Sequence, residues 1–210
     1  MPKIVDHRER RAEIADAVLA IIAEVGVDAV TIRDVATRCG WSTGVINHYV
    51  GGRAALLQLA FRRASWLSGE TIDSIVSRPD LDPLGRLQEV LRSTLPFDAR
   101  SIAMGRIYTF FYAEAAAKES LASDMRRYID SWRDAIEERV TEVMRERQMP
   151  TTHAREIGNF LVALADGLGI HGILGTPLIE DGHLKGIPPI PMWIETALEL
   201  AERLSAQETD

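Results

Sequence analysis

Apolar side chains recur every three or four positions over most of the chain, the period of helices that bury one face. Ile14, Val18, Ile21, Ile22 and Val25 define the first, with Asp6 and Glu9 in capping-box spacing before them and Gly26 closing the run. Thr31, with Asp34 three residues on, predicts the start of a second helix whose Ile32, Val35 and Ala36 face inward and which ends at Cys39 and Gly40. Glycine can take the left-handed conformation of a sharp turn, and Ser42 then stands where it can cap a third helix. On a wheel of about 100° per residue, Ile46, Tyr49 and Val50 fall on one side of that third helix. Thr43, Gly44, Asn47 and His48 fall on the other. Ala36 allows the second and third helices to cross closely, and Ile46 plugs the space between them.

Leu56, Leu57, Leu59, Ala60, Phe61, Ala64, Leu67, Ile72 and Val76 carry more apolar surface than one face can bury. This fourth helix is therefore expected between two packed regions. Asp82 and Pro83 open a helix closed by Pro96. An aromatic-rich helix follows from about Ser101 to Ala117, then a stripe of Leu121, Met125, Tyr128, Ile129, Trp132, Ile136, Val140 and Val143 predicts one of about 30 residues. Thr152 is expected to cap the next. A Gly/Pro-rich loop from Gly175 to Pro191 leads to a last amphipathic helix. No segment combines period-two alternation with β-branched enrichment, so the fold class is all-α.

Composition bounds what such a fold can do. A hydrophobic content of 46% supports a real core. The longest apolar runs are too short to span a bilayer and the charged start carries no secretory segment, so a cytoplasmic protein without a membrane partner is expected. One cysteine, Cys39, fits a reducing compartment. No catalytic triad setting is visible, and Glu180, Asp181 and His183 lack any metal-site motif, so neither enzyme activity, metal nor cofactor is expected. The net charge of −7 argues against nucleic acid until it is divided. Residues 1–63 hold 9 Lys+Arg against 7 Asp+Glu, and residues 64–210 hold 15 against 24. Only the N-terminal part can face phosphate, on a few placed contacts and with help from dimerisation. Arg8, Arg10 and Arg11 are candidates for a flexible arm on the DNA backbone.

Two short helices, a glycine turn and an outward polar set form the layout of a helix-turn-helix, in which Asn pairs with adenine and Thr or His meets base edges. The stretch Thr31 to Tyr49 followed by an apolar helix resembles the N-terminal domain of the TetR family of bacterial regulators. Within it, GWSTGVINHYVGGRAALL at residues 40 to 57, FFYAEA at 110 to 115 and ALADGLGIHGIL at 163 to 174 resemble the BetI-type branch. The resemblance implies a homodimer of nine-helix subunits that represses transcription from a palindromic operator and releases the DNA when a small-molecule effector enters the C-terminal domain. It implies a DNA-binding domain over residues 1–52 and a ligand and dimerisation domain over residues 53–210. By position, Ser42, Tyr49 and Arg53 match phosphate-touching residues, Thr43, Gly44, Asn47 and His48 match base-facing ones, and Arg33 matches a helix-2 position that contacts DNA. Trp41, where a small aliphatic residue is usual, and Gly51-Gly52 depart from the family pattern.

The effector site is expected among Trp66, Met104, Tyr108, Phe111, Tyr112, Met125, Tyr128 and Trp132, with Asp166 and His171 as orienting polar groups. An aromatic lining suits a quaternary ammonium ion, as the BetI resemblance suggests. The dimer interface is expected from Ile157, Phe160, Leu161, Leu164, Leu168, Trp193 and Leu198, with Gly167, Gly169 and Gly172 allowing close approach. The rival reading is a helical adaptor whose Asn47 and His48 meet a protein partner instead of DNA.

Overall fold

In a computed structural model, which describes residues 7–117, 119–174, 179–180 and 183–207, the chain is a helical assembly. The helices are α1 (His7–Val25), α2 (Ile32–Cys39), α3 (Thr43–Val50), α4 (Arg53–Val76), α5 (Pro83–Thr94), α6 (Ala99–Ala117), α7 (Glu119–Glu146), α8 (Ala154–Ile173) and α9 (Ile190–Gln207). A 3-10 turn, Val27–Ala29, links α1 to α2. Within the expected Gly/Pro-rich loop, Ile179–Glu180 and His183–Leu184 form a two-residue antiparallel ladder, β1 and β2. The last helix starts at Ile190, just inside that loop. Asp6 and Asp181 lie outside the described residues.

The caps follow the local chemistry. Thr31 accepts from the Asp34 N–H at 3.1 Å and Ser42 from the Val45 N–H at 3.3 Å, each satisfying a donor that the first turn of a helix leaves open. Asp82 accepts from the Gly85 N–H at 2.7 Å ahead of Pro83. The cap expected from Thr152 is absent: α8 opens after His153, whose side chain makes no cap bond. Gly40 closes α2 at φ 70°. Gly51 and Gly52, at φ 77° and 132°, turn α3 into α4 through conformations that side chains with a Cβ rarely adopt.

Two apolar clusters organise the molecule. The first gathers Ile14, Val18 and Ile22 of α1, Val35 of α2, Ile46 of α3, Leu56, Ala60 and Phe61 of α4, Ile107 and Phe111 of α6 and Met125 of α7. The second gathers Leu87 and Leu91 of α5, Trp132 to Met144 of α7, Ile157 and Leu161 of α8 and Trp193 to Ala201 of α9. α4 reaches both, through Leu56 to Ala64 in the first and through Ile72 and Ile75 against the second. α7 does the same, with Met125 in the first and Trp132 to Met144 in the second. α8 lies so close on α7 that a Cβ on Gly158 would come within 3.2 Å of the Glu137 backbone.

Candidate nucleic-acid interface and ligand cavity

α3 has one fully buried side chain, Ile46, and leaves Thr43, Gly44, Asn47 and His48 exposed beside Val45. Arg33 on α2 is exposed. Tyr49 is half-buried rather than core. Its ring meets His7 at 5.4 Å, His48 at 5.5 Å and Trp41 at 6.4 Å. Trp41 carries the Arg10 guanidinium over its face at 4.6 Å, and Arg11 donates to the Tyr49 carbonyl at 2.7 Å. His7 already belongs to α1, so Arg10 and Arg11 are not a flexible arm: they brace the start of α1 against the end of α3.

Arg53 is also occupied. Its Nε donates to the Val30 carbonyl at 3.0 Å and its Nη2 to the Val27 carbonyl at 2.9 Å. A cation at the first residue of a helix opposes the dipole. Here it satisfies carbonyls at the end of the 3-10 turn and ties α4 to the α1–α2 connection. Cys39 is half-buried, and burial pushes its thiol pKa up, away from the reactive thiolate.

A cavity of about 240 Å³ lies at the seam of the two clusters. Of the residues expected there, Met104, Tyr108, Tyr112, Tyr128, Trp132 and Asp166 line it. Four do not. Phe111 and Met125 are buried in the first cluster. Trp66 is exposed, lying under the guanidinium of Arg63, which is itself paired with Asp16 of α1. His171 is exposed on the far side of α8.

One end of the cavity gathers the tyrosines, Trp132 and Asp166. Tyr108 and Tyr128 stack at 4.4 Å, and the Tyr108 hydroxyl shares a hydrogen bond with Ser68 of α4 at 2.9 Å. Both rings stand edge-on to Phe61 of the first cluster. Burial raises the Asp166 carboxyl above the usual Asp range, against the opposing pull of Tyr112, Arg133 and Trp132. Burial and then the Asp166 charge hold the Tyr112 hydroxyl well above the ordinary tyrosine range. The buried indole N–H of Trp132 makes no hydrogen bond of good geometry. A partly desolvated carboxyl, held by Tyr112 and only loosely by the buried Trp132 indole N–H and set among three aromatic faces, is a costly arrangement for a core and a suitable one for a ligand.

Comparison with known proteins agrees with the two halves. Residues 14–60 match the pattern described as bacterial regulatory proteins, tetR family, and residues 83–185 match the BetI-type transcriptional repressor C-terminal pattern. The HTH-type transcriptional regulator BetI of Escherichia coli K12 is 32% identical over 183 residues, 85% of this chain and 90% of that protein. The chain belongs to the TetR family of regulators, in its BetI-type branch. The fold agrees: a transcriptional regulator from Rhodococcus superposes with a TM-score of 0.74 at 22% identity, over 90% of this chain and 96% of that one. A regulator from Saccharomonospora viridis, solved in complex with choline, superposes at 0.71 and 20% identity, over 93% and 96%. This TetR-family chain is thus a DNA-binding transcriptional regulator with a ligand-binding C-terminal domain, and its relatives are regulators rather than enzymes. Among the described residues no helix is long and apolar enough to cross a membrane.

The interface expectation needs correction. Ile157, Leu161, Trp193 and Leu198 are buried within the subunit, so they hold α8 and α9 onto the second cluster and cannot meet a partner. Leu164 and Leu168 are half-buried against the same cluster. Gly172 serves an intrachain contact, because a Cβ there would meet the Pro96 ring at 2.2 Å. Among the residues that α8 and α9 leave exposed are Phe160, Ala163, Gly167 and Ile170 on α8 and Met192, Thr196 and Leu200 on α9. Sequence reasoning also passed over the cavity's hydroxyl residues, Ser68, Thr71, Ser93, Thr94, Ser101 and Thr109. Their one signal is that Ser101 and Thr109 share the α6 face of Met104 and Tyr108.

Proposed function

We propose that this regulator is a cytoplasmic repressor that binds a palindromic operator as a homodimer and is released by a small organic cation. The reading of DNA rests on α3: Thr43, Gly44, Asn47 and His48 stand exposed behind the Ser42 cap, and a helix presented by its first turns is the form that enters a major groove. Ser42, Tyr49 and Arg33 flank that set and would meet phosphates. Arg53 would act through the turn it braces, with any remaining donors toward DNA. A functional boundary near Gly52 separates the reader from the ligand and dimerisation part.

Two copies would pair through the exposed strips of α8 and α9, Phe160, Ala163 and Gly167 against Met192, Thr196 and Leu200. That pairing would set the recognition helices about 34 Å apart. For the effector, the carrying observation is the half-buried carboxyl of Asp166 among Tyr108, Tyr112, Tyr128 and Trp132, a counter-ion inside an aromatic box. The choline found in the Saccharomonospora viridis relative belongs to the same chemical class. Release would travel along α4, which has Leu67, Ser68 and Thr71 in the cavity and Leu56 to Phe61 in the reader's core. A swing from mostly bound to mostly free needs about 5 kcal/mol of differential affinity.

A salt-dependent mobility-shift assay on the DNA upstream of its own gene, repeated with a quaternary ammonium ion added, tests the whole reading. Binding that weakens with salt and with the cation is expected. A protein that is monomeric by light scattering at micromolar concentration, or that ignores the DNA at low salt, would leave the adaptor reading in its place.

A further inference from the structure

The cavity is long as well as aromatic. On α6 its lining runs from Arg100 and Ser101 through Met104 and Gly105 to Tyr108 and Tyr112, one face over three turns. At 1.5 Å of rise per residue, Ser101 and Tyr112 are about 16 Å apart along the axis. The opposite wall keeps the same register in reverse. Ile173 of α8 faces Gly105, while Asp166, seven residues earlier, is the charge that acts on Tyr112, seven residues later. The space is a slot.

Its ends differ in chemistry. One holds Asp166, the tyrosines and Trp132. The middle is apolar, with Met104, Ile170 and Ile173. The other end carries Ser93 and Ser101 with both a cation, Arg100, and an anion, Asp98, whose carboxylate accepts from the Ser101 N–H at 2.7 Å. Ser93 and Thr94 donate their hydroxyl protons to Val90 and Leu91 carbonyls, leaving lone pairs to accept from a ligand. The waist depends on glycine. A Cβ on Gly105 would lie 2.5 Å from Ile173 Cδ1, so any larger residue must displace Ile173, a wall of the slot.

Building on the cationic reading of this site, we propose that the effector is an extended cation: an ammonium head in the aromatic box, an alkyl chain through the waist, and an uncharged hydroxyl-type terminus at Ser93 and Ser101. At about 1.2 Å per bond of an extended chain, the slot takes roughly ten chain atoms beyond the head. A compact ammonium ion would fill only one end and leave the apolar middle uncovered.

Calorimetric titration of the full-length protein with tetramethylammonium and with ω-hydroxyalkyl-trimethylammonium ions of graded length separates these cases. Affinity should rise at least tenfold from the two-carbon to the ten-carbon member, at one ligand per subunit. Gly105→Ala, which places the better helix former inside α6, should cost the ten-carbon ligand about tenfold and leave tetramethylammonium unchanged. Equal affinity at all lengths, or equal loss of long and short ligands in Gly105→Ala, would overturn the slot while leaving a cation site. Failure of every cation, tetramethylammonium included, would remove the cationic reading itself and this inference with it.

Discussion

The two apolar clusters differ in what they leave unfinished. In the first, aromatic and aliphatic groups close on one another: Phe61 stacks on Phe111 at 4.6 Å, and Ile14, Ile22, Val35, Ile46 and Leu56 are fully buried. Along the seam with the second, Asp166 is desolvated, the Trp132 N–H lacks a good acceptor and a slot stays open. A reader of DNA gains from a rigid body that fixes α3. A receptor gains from groups that only a ligand can satisfy, because a ligand that binds both arrangements equally shifts nothing. The Tyr108–Tyr128 stack standing on Phe61 is where the unfinished region touches the finished one.

The largest expected effect tests that contrast directly. Phe61→Ala should cost about 3–5 kcal/mol of stability, the range for a large aromatic removed from a closed core. Thr109→Ala on the cavity wall should cost under about 1 kcal/mol. Urea denaturation of both variants measures this. Similar losses would mean that the seam is packed as tightly as the reader's core.

Next comes the surface the first cluster supports. Asn47→Ala should weaken operator binding by about 1–3 kcal/mol and relax base preference at one position, with circular dichroism and Tm unchanged. A uniform loss across all sequences would instead mark Asn47 as a phosphate contact.

Arg106 offers a smaller and more telling cut. From α6, two residues from both Met104 and Tyr108, its Nη1 donates to the Ala23 carbonyl at 3.2 Å and more weakly to that of Ile22 at 3.4 Å. A cation at the last carbonyls of α1 suits the dipole, and Ile22 already accepts from the Gly26 N–H at 3.0 Å, so Ala23 is the main acceptor. Arg106→Ala should therefore cost about 1–2 kcal/mol. If α6 carries ligand information to α1, the variant should bind cation and operator separately yet lose part of their antagonism, read by mobility shift with and without ligand. Full antagonism would leave α4 as the sole carrier.

The sequence made the reader legible because its logic is local. Thr31, Gly40, Ser42 and Ile46 are a cap, a turn, a cap and a plug, each decided within a few residues. Helical periodicity likewise gave all nine helices described, to within a few residues. It could not say what covers each apolar face. Phe111 and Met125 look like Tyr112 and Tyr128 on their wheels, yet the first pair turns into the reader's core and the second borders the cavity. Ile157 and Trp193 were expected at an interface for the same reason, although the subunit buries them itself. Arg53 and Arg11 look like phosphate contacts in the sequence, whereas carbonyls distant in sequence, at Val30 and Tyr49, occupy them.

The smallest effect reaches the chemistry of the seam. Burial raises the Asp166 pKa in the folded protein, so the native state holds its proton to higher pH than the unfolded chain does. The stability linked to that proton is complete below the usual Asp range, near pH 4, and is lost as pH rises through the raised value. Asp166→Asn keeps the shape without the titration, so its Tm should fall less than wild type across that window. A bound cation reverses the preference: it stabilises the carboxylate, lowers its pKa, and should bind more tightly as pH rises through the same range. Asp166→Asn should lose that pH dependence together with part of the affinity. Parallel curves for the two proteins, with and without cation, would mean that Asp166 ionises as freely as a surface carboxylate, and the seam would then be as electrostatically finished as the reader's core.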